Sequence, residues 1–142
     1  MALAMHKIQV WSADMPDRVG AAAAKLETLA RAGANLEFVF TRPSPNNPGN
    51  TAVFLAPIST PEQIEAAQSA GFSPATGHTM LCVEGKNRPG IGFDLMSRLA
   101  VAGLPLQGLS ISSLGDRFAA HIAFDNADSV TQAIQVLATL DA

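Results

Sequence analysis

The chain has 142 residues, 48% of them hydrophobic and 15% charged, with a formal net charge of -3. That balance excludes a disordered or coiled-coil chain, and the lack of any stretch clustering Lys or Arg with aromatics excludes an electrostatic footprint for nucleic acid. No run approaches the ~20 apolar residues of a membrane span, and Met1-Ala2-Leu3-Ala4-Met5-His6-Lys7 lacks a basic segment followed by a long apolar one, so a cytoplasmic protein without membrane contact is expected.

In chain order, Lys7 to Trp11 alternates with Ile8 and Val10 on one face, as a half-buried strand does. Asp14-Met15-Pro16-Asp17-Arg18-Val19-Gly20 follows as a turn in which Asp17 is expected to cap the next helix. That helix ends at Gly33 and carries Ala22, Leu26, Leu29 and Ala30 at helical spacing. Asn35 to Arg42 reads as a strand, Pro43 to Asn50 as a polar hairpin tip, and Thr51 to Ala56 as the returning strand. Thr60-Pro61-Glu62-Gln63 has the form of a capping box with Pro at the first helical position, and Gly71 is the stop. Phe72 to His78 reads as a linker with a brief edge strand.

The same plan then restarts. Thr79 to Glu84 is a β-rich run, and Gly85-Lys86-Asn87-Arg88-Pro89-Gly90 is a polar turn opening a helix that ends at Gly103. Here Asn87 is expected as the N-cap, Pro89 in the first turn, and Gly90 as a point of close approach at a helix start that favours a small anion. Leu104 to Ser112, Phe118 to Phe124 and a helix from Asp128 to about Leu140 complete the half. No residues remain for a fourth strand, which predicts an open sheet edge.

The two halves share Arg18/Arg88, Gly20/Gly90, Leu29/Leu99, Ala30/Ala100, Ala32/Ala102, Gly33/Gly103 and Leu36/Leu106 at one constant offset. Identities clustered at a turn and along one helix indicate a duplicated unit. The predicted units are 6-72 and 79-140, packed together because units so small bury little core alone. The apolar content further predicts a homo-oligomer, a dimer being the simplest.

Chemistry for catalysis is not evident. His6, His78 and His121 stand at no metal-ligand spacing relative to the single cysteine, Cys82, which reads as a packed strand residue. Asp14 and Asp17 offer two carboxylates to a cation, although such pairs at turns are more often solvated caps. No nucleophile elbow, phosphate-binding loop or dinucleotide fingerprint occurs, so neither an enzyme nor a metal or cofactor requirement is expected.

With the repeat, the β-α-β-β-α order and Asn87-Arg88-Pro89-Gly90 together, the chain resembles a tandem ACT-domain protein over nearly its whole length. Val83 to Ala102 is similar to the serine-binding ACT domain of phosphoglycerate dehydrogenase, and Asp17-Arg18-Val19-Gly20 matches more loosely. The resemblance implies an α+β chain of two ferredoxin-like βαββαβ repeats, expected side by side in one antiparallel sheet with helices on one face. It also implies a small effector, usually an amino acid, at an interface between ACT domains, and regulation of an enzyme or transcription factor. The implied ligand-binding residues are Asn87, Arg88, Pro89, Gly90, Asn35 and Gly85, with Asp17, Arg18 and Gly20 as a second, weaker site. Gly85 stands where the family has a His, and Pro105 replaces an Asn that Asn35 keeps in the first half. Two functions follow, an amino-acid sensor or an interaction module that dimerises or docks without a ligand.

Overall fold

The computed structural model describes residues 3–76 and 79–140, so His78 and the end of the expected linker lie outside the described residues. The chain is α+β and forms two units, Gln9–Ala75 and a second that joins Met1–Ile8 to Thr76–Ala142.

In the first unit the order is β2 (Trp11–Pro16), α1 (Ala21–Arg31), β3 (Phe38–Pro43), β4 (Asn50–Ala56), α2 (Pro61–Ser69) and β5 (Ser73–Pro74), preceded in the chain by β1 (Ala4–Ile8). Its sheet runs β3-β4-β2-β5, every neighbour antiparallel. Trp11, Ala13 and Met15 alternate inward from β2 and meet Val53 and Leu55 of β4, with Leu29 of α1, Ala67 of α2 and Phe72 closing the core. The capping box forms as its sequence dictates: Thr60 Oγ1 accepts from Gln63 N at 3.1 Å, Gln63 Oε1 accepts from Ser59 N at 2.9 Å, and Pro61 occupies the first turn. Lys25 threads through the half-buried interior so that its ammonium donates to the Ala70 carbonyl at the end of α2, 5.6 Å from the Phe72 ring centroid. A cation there meets the negative end of the helix dipole.

The second unit contains β6 (Thr79–Lys86), α3 (Ile91–Val101), β7 (Gly108–Leu114), β8 (Arg117–Phe124) and α4 (Ala127–Leu137). Its sheet runs β1-β6-β8-β7. The edge expected to stay open is filled by β1, which pairs antiparallel with β6 from Ala4 opposite Glu84 to Ile8 opposite Met80. The expected single strand from Lys7 to Trp11 is therefore two. The break shows in the burial phase, because Ile8 and Val10 are buried on one parity while Trp11, Ala13 and Met15 are buried on the other.

Both units are thus βαββαβ-like, the second taking its final strand from the start of the chain. They differ from expectation in one respect. The strands form two four-stranded sheets, not one continuous sheet. Instead β3 and β7 are edge strands of their own sheets. The helix faces also shift by one position. Ile91, Leu95 and Leu99 of α3 point into the core, and Ala21 and Leu29 of α1 do likewise, whereas Ala22 and Ala30 are exposed.

Candidate functional site

In both repeats the turn between the first strand and the first helix has the same backbone. Gly20 (φ 86°) and Gly90 (φ 83°) are the N-cap residues, both left-handed, and neither helix has a side-chain cap. Ala21 N donates to Arg18 O at 3.2 Å and Ile91 N to Arg88 O at 3.3 Å. One turn further on, Ala24 N donates to Gly20 O and Asp94 N to Gly90 O, both at 3.0 Å. The helix ends match as well. Gly33 (φ 80°) and Gly103 (φ 72°) reverse the chain, and the amides of Ala34 and Leu104 return to the carbonyls of Leu29 at 3.1 Å and Leu99 at 3.0 Å. The repeated residues are those that start and stop this helix.

This geometry corrects the expected caps. Asn87 and Asp17 precede the N-cap by three residues, and their contribution is made by backbone: Asn87 N donates to Asp116 O at 2.7 Å and Asp17 N to Gly49 O at 3.0 Å. Each bond ties the turn to the tip of its unit's hairpin. Pro89 lies before the helix, not within its first turn. Gly90 is required by its left-handed φ, since a Cβ there would meet no heavy atom within 4 Å. Close approach is instead seen at Gly85, where a Cβ would lie 2.8 Å from Leu3 Cδ2 and 2.9 Å from Phe118 Cε1. The strand position is kept small by Leu3, just before β1, and Phe118 of β8 packing over it.

Arg88 reaches forward to Asp94, Nη2 to Oδ2 2.5 Å, with both side chains about one-third exposed (36% and 33%). The pair neutralises the one acidic side chain in the first turn of α3, whereas the first turn of α1 has none. At both helix starts the first N–H is taken up by the carbonyl of Arg18 or Arg88, and the next two N–H groups of the turn, which have no partner within the helix, present a positive end to a small anion. Asn35 is exposed in the connection between α1 and β3, in the unit that does not contain Asn87.

The sequence did not point to a cleft in the Gln9–Ala75 unit. There Asp14 Oδ2 accepts from Asn47 Nδ2 at 2.5 Å and from Ser44 Oγ at 3.3 Å, so the hairpin tip folds back onto β2. The result is an open cleft of about 450 Å³ lined in part by Ser12, Asp14, Arg42, Asn47 and Phe54. Arg42 lies over the Phe54 ring at 5.2 Å. The Asp14 carboxylate, read as a solvated cap or cation ligand, is a loop anchor. A carboxylate with amide and hydroxyl donors in a nearby polar loop was the available signal.

The histidines also differ from expectation. His6 and His121 are the cross-strand partners of Cys82, on β1 and β8 respectively. The non-local pairing of β1 with β6 makes this row, and no sequence spacing reports it. No helix among the described residues is long and apolar enough to cross a membrane.

The architecture is that of two ferredoxin-like repeats whose matched helix starts are held by their own hairpin tips. No protein-family model matches the chain, and no curated protein matches it. Solved structures share the fold at low identity. A protein from Bacteroides thetaiotaomicron aligns with TM-score 0.71 and 16% identity over 94% of this chain and 88% of that one. The ligand-free regulatory subunit of aspartate kinase from Thermus thermophilus aligns with TM-score 0.67 and 17% identity over 99% of this chain and 98% of its own. The aspartate kinase of Clostridium acetobutylicum, described as an allosteric enzyme, aligns with TM-score 0.63 and 11% identity over 95% of this chain and 33% of the kinase.

Proposed function

We propose that the chain is a tandem ACT-type regulatory protein, without catalytic activity, that binds a small amino-acid effector and passes its occupancy to a partner enzyme or transcription factor. The observation that carries this reading is the pair of matching helix starts, on a fold shared over nearly the full chain with a regulatory subunit of aspartate kinase. The turn Asn87-Arg88-Pro89-Gly90 is assigned to the effector carboxylate, which would meet the N–H groups at the start of α3. Asn87 and Asn35 are assigned as amide contacts, Gly85 as the small residue that seats the strand before the turn, and Asp17, Arg18 and Gly20 as the weaker second site. There the Asp17 carboxylate disfavours an anion. A homodimer is the assembly assigned.

A thermal-shift screen of the twenty amino acids tests this. A ligand at 100 times its dissociation constant adds about 2.7 kcal/mol, a plainly visible shift. The shift should vanish in Asn87→Ala and in Asn35→Ala and persist in Asp17→Ala. If no amino acid moves the melting temperature, the sensor reading fails. An interaction module is then the alternative, and the exposed apolar side chains of Phe93 (74%) and Val101 (91%) on α3 favour it.

A further inference from the structure

The sheet of the Gln9–Ala75 unit packs one face against the helices of that unit. Ala13 and Met15 of β2 and Val53 and Leu55 of β4 enter the core beside Leu29 of α1 and Ala67 of α2. Strand alternation therefore puts Ser12, Asp14, Ala52 and Phe54 on the opposite face. Register there sets Asp14 and Arg42 on either side of Ala52, and Ser12 and Phe40 on either side of Phe54. Ala52 carries a single methyl, so the space between Asp14 and Arg42 stays open as part of the cleft of about 450 Å³. That volume is in the range of small-molecule sites.

Two opposite charges line this cleft, and each is held by its neighbours. The Arg42 guanidinium lies 5.2 Å from the Phe54 ring centroid, and Phe54 packs against Phe40 at 6.3 Å. A guanidinium over a ring face keeps its N–H donors at its own edge, where they can grip a carboxylate with two parallel bonds. Among the described residues no carboxylate forms an ion pair with Arg42. On the other side, Ser44 and Asn47 both donate to Asp14 Oδ2, which leaves the lone pairs of Oδ1 to accept from a ligand. A molecule between the two residues can satisfy both.

We propose that this cleft binds an amino-acid-sized zwitterion, its carboxylate on the Arg42 fork and its ammonium on Asp14, with the cross-strand pair Ser12 and Ser73 as further hydrogen-bond partners. A plain anion would meet Asp14 and a plain cation would meet Arg42, so the pair selects a ligand that carries both charges. All these residues belong to the Gln9–Ala75 unit, and none is shared with either helix-start turn, so the cleft is tested apart from the effector turn. The isotope-labelled full chain is titrated by NMR with glycine, β-alanine and γ-aminobutyrate, a series that varies the distance between the two charges. Acetate and methylammonium are the single-charge controls. At least one zwitterion should shift the backbone amides of Ser12, Asp14, Arg42 and Phe54 saturably. Its affinity should fall by at least ~10-fold in Arg42→Gln and in Asp14→Asn, the loss expected for one charge-assisted hydrogen bond. Arg42 is exposed, so Arg42→Gln should keep the melting temperature and separates binding from folding. Asp14→Asn retains an acceptor for Ser44 and Asn47 and so keeps the loop anchored. Absence of shifts at these four amides, acetate binding as tightly as the best zwitterion, or an affinity unchanged in Arg42→Gln overturns the site. Failure of the effector turn is read separately, at the amides of residues 87–92.

Discussion

Gly90 and Gly20 hold φ angles of 83° and 86° with open space where a Cβ would stand, so their requirement is conformational and not steric. An L side chain in the left-handed region costs about 1–2 kcal/mol, and a β-branched one fares worst. Gly90→Val and Gly20→Val should therefore lose similar stability in denaturant titrations, and Gly90→Asn should lose less. A Gly90→Val protein with an unchanged midpoint would show that the turn is not held in this conformation. Gly85 is the opposite case, a glycine with ordinary dihedrals and no room. Gly85→Ala should lose about 1–3 kcal/mol by overpacking, and Leu3→Ala in the same chain should restore part of it, because the Leu3 methyl is one of the two obstacles. Full loss in the double variant would leave Phe118 as the sole obstacle.

At the scale of elements, local signals were legible where one side chain meets one nearby amide. Thr60, Pro61 and Gln63 form their cap as written, whereas the helix expected from Asp128 starts at Ala127 behind a cap not expected from the sequence, Asn126, whose Oδ1 accepts from Ser129 N at 2.8 Å. Asn87 and Asp17 are the same residue types, but a glycine three residues later takes the cap position with a left-handed backbone that no side chain is needed to hold. Thr60→Ala and Asn126→Ala should each cost about 1 kcal/mol, measurable as lowered melting temperatures. Asn87→Ala and Asp17→Ala should be close to neutral for stability, since only their backbone N–H groups are engaged. A cap-sized loss in Asn87→Ala would show that its side chain supports the helix start after all. The helix faces were misread for a related reason. Repeated residues mark where α1 and α3 stop, and the core positions, Ala21 against Ile91 and Lys25 against Leu95, diverge between the halves.

At the scale of the molecule, the repeat was legible because both helix starts and ends recur at one offset, whereas the partner of β1 was not. Nothing within Ala4–Ile8 names Thr79–Lys86 as its neighbour; only the missing fourth strand after α4 indicated a vacancy. The same non-local pairing hid the His6, Cys82 and His121 row. The two units consequently differ in self-sufficiency. A fragment of residues 9–75 holds all four strands of its sheet and should fold cooperatively by circular dichroism. A fragment of residues 76–142 should gain a sharp transition only when a peptide of residues 3–8 is added, and cooperative folding without the peptide would show that β1 is dispensable. The order of synthesis gives this pairing a further meaning. β1 is made before the Gln9–Ala75 unit and β6 after it, so β1 must wait, without its β6 partner, while that unit emerges and folds between them. Closing that long loop is the slow, entropically costly step, so β1 reaches its place only after the later repeat has been translated.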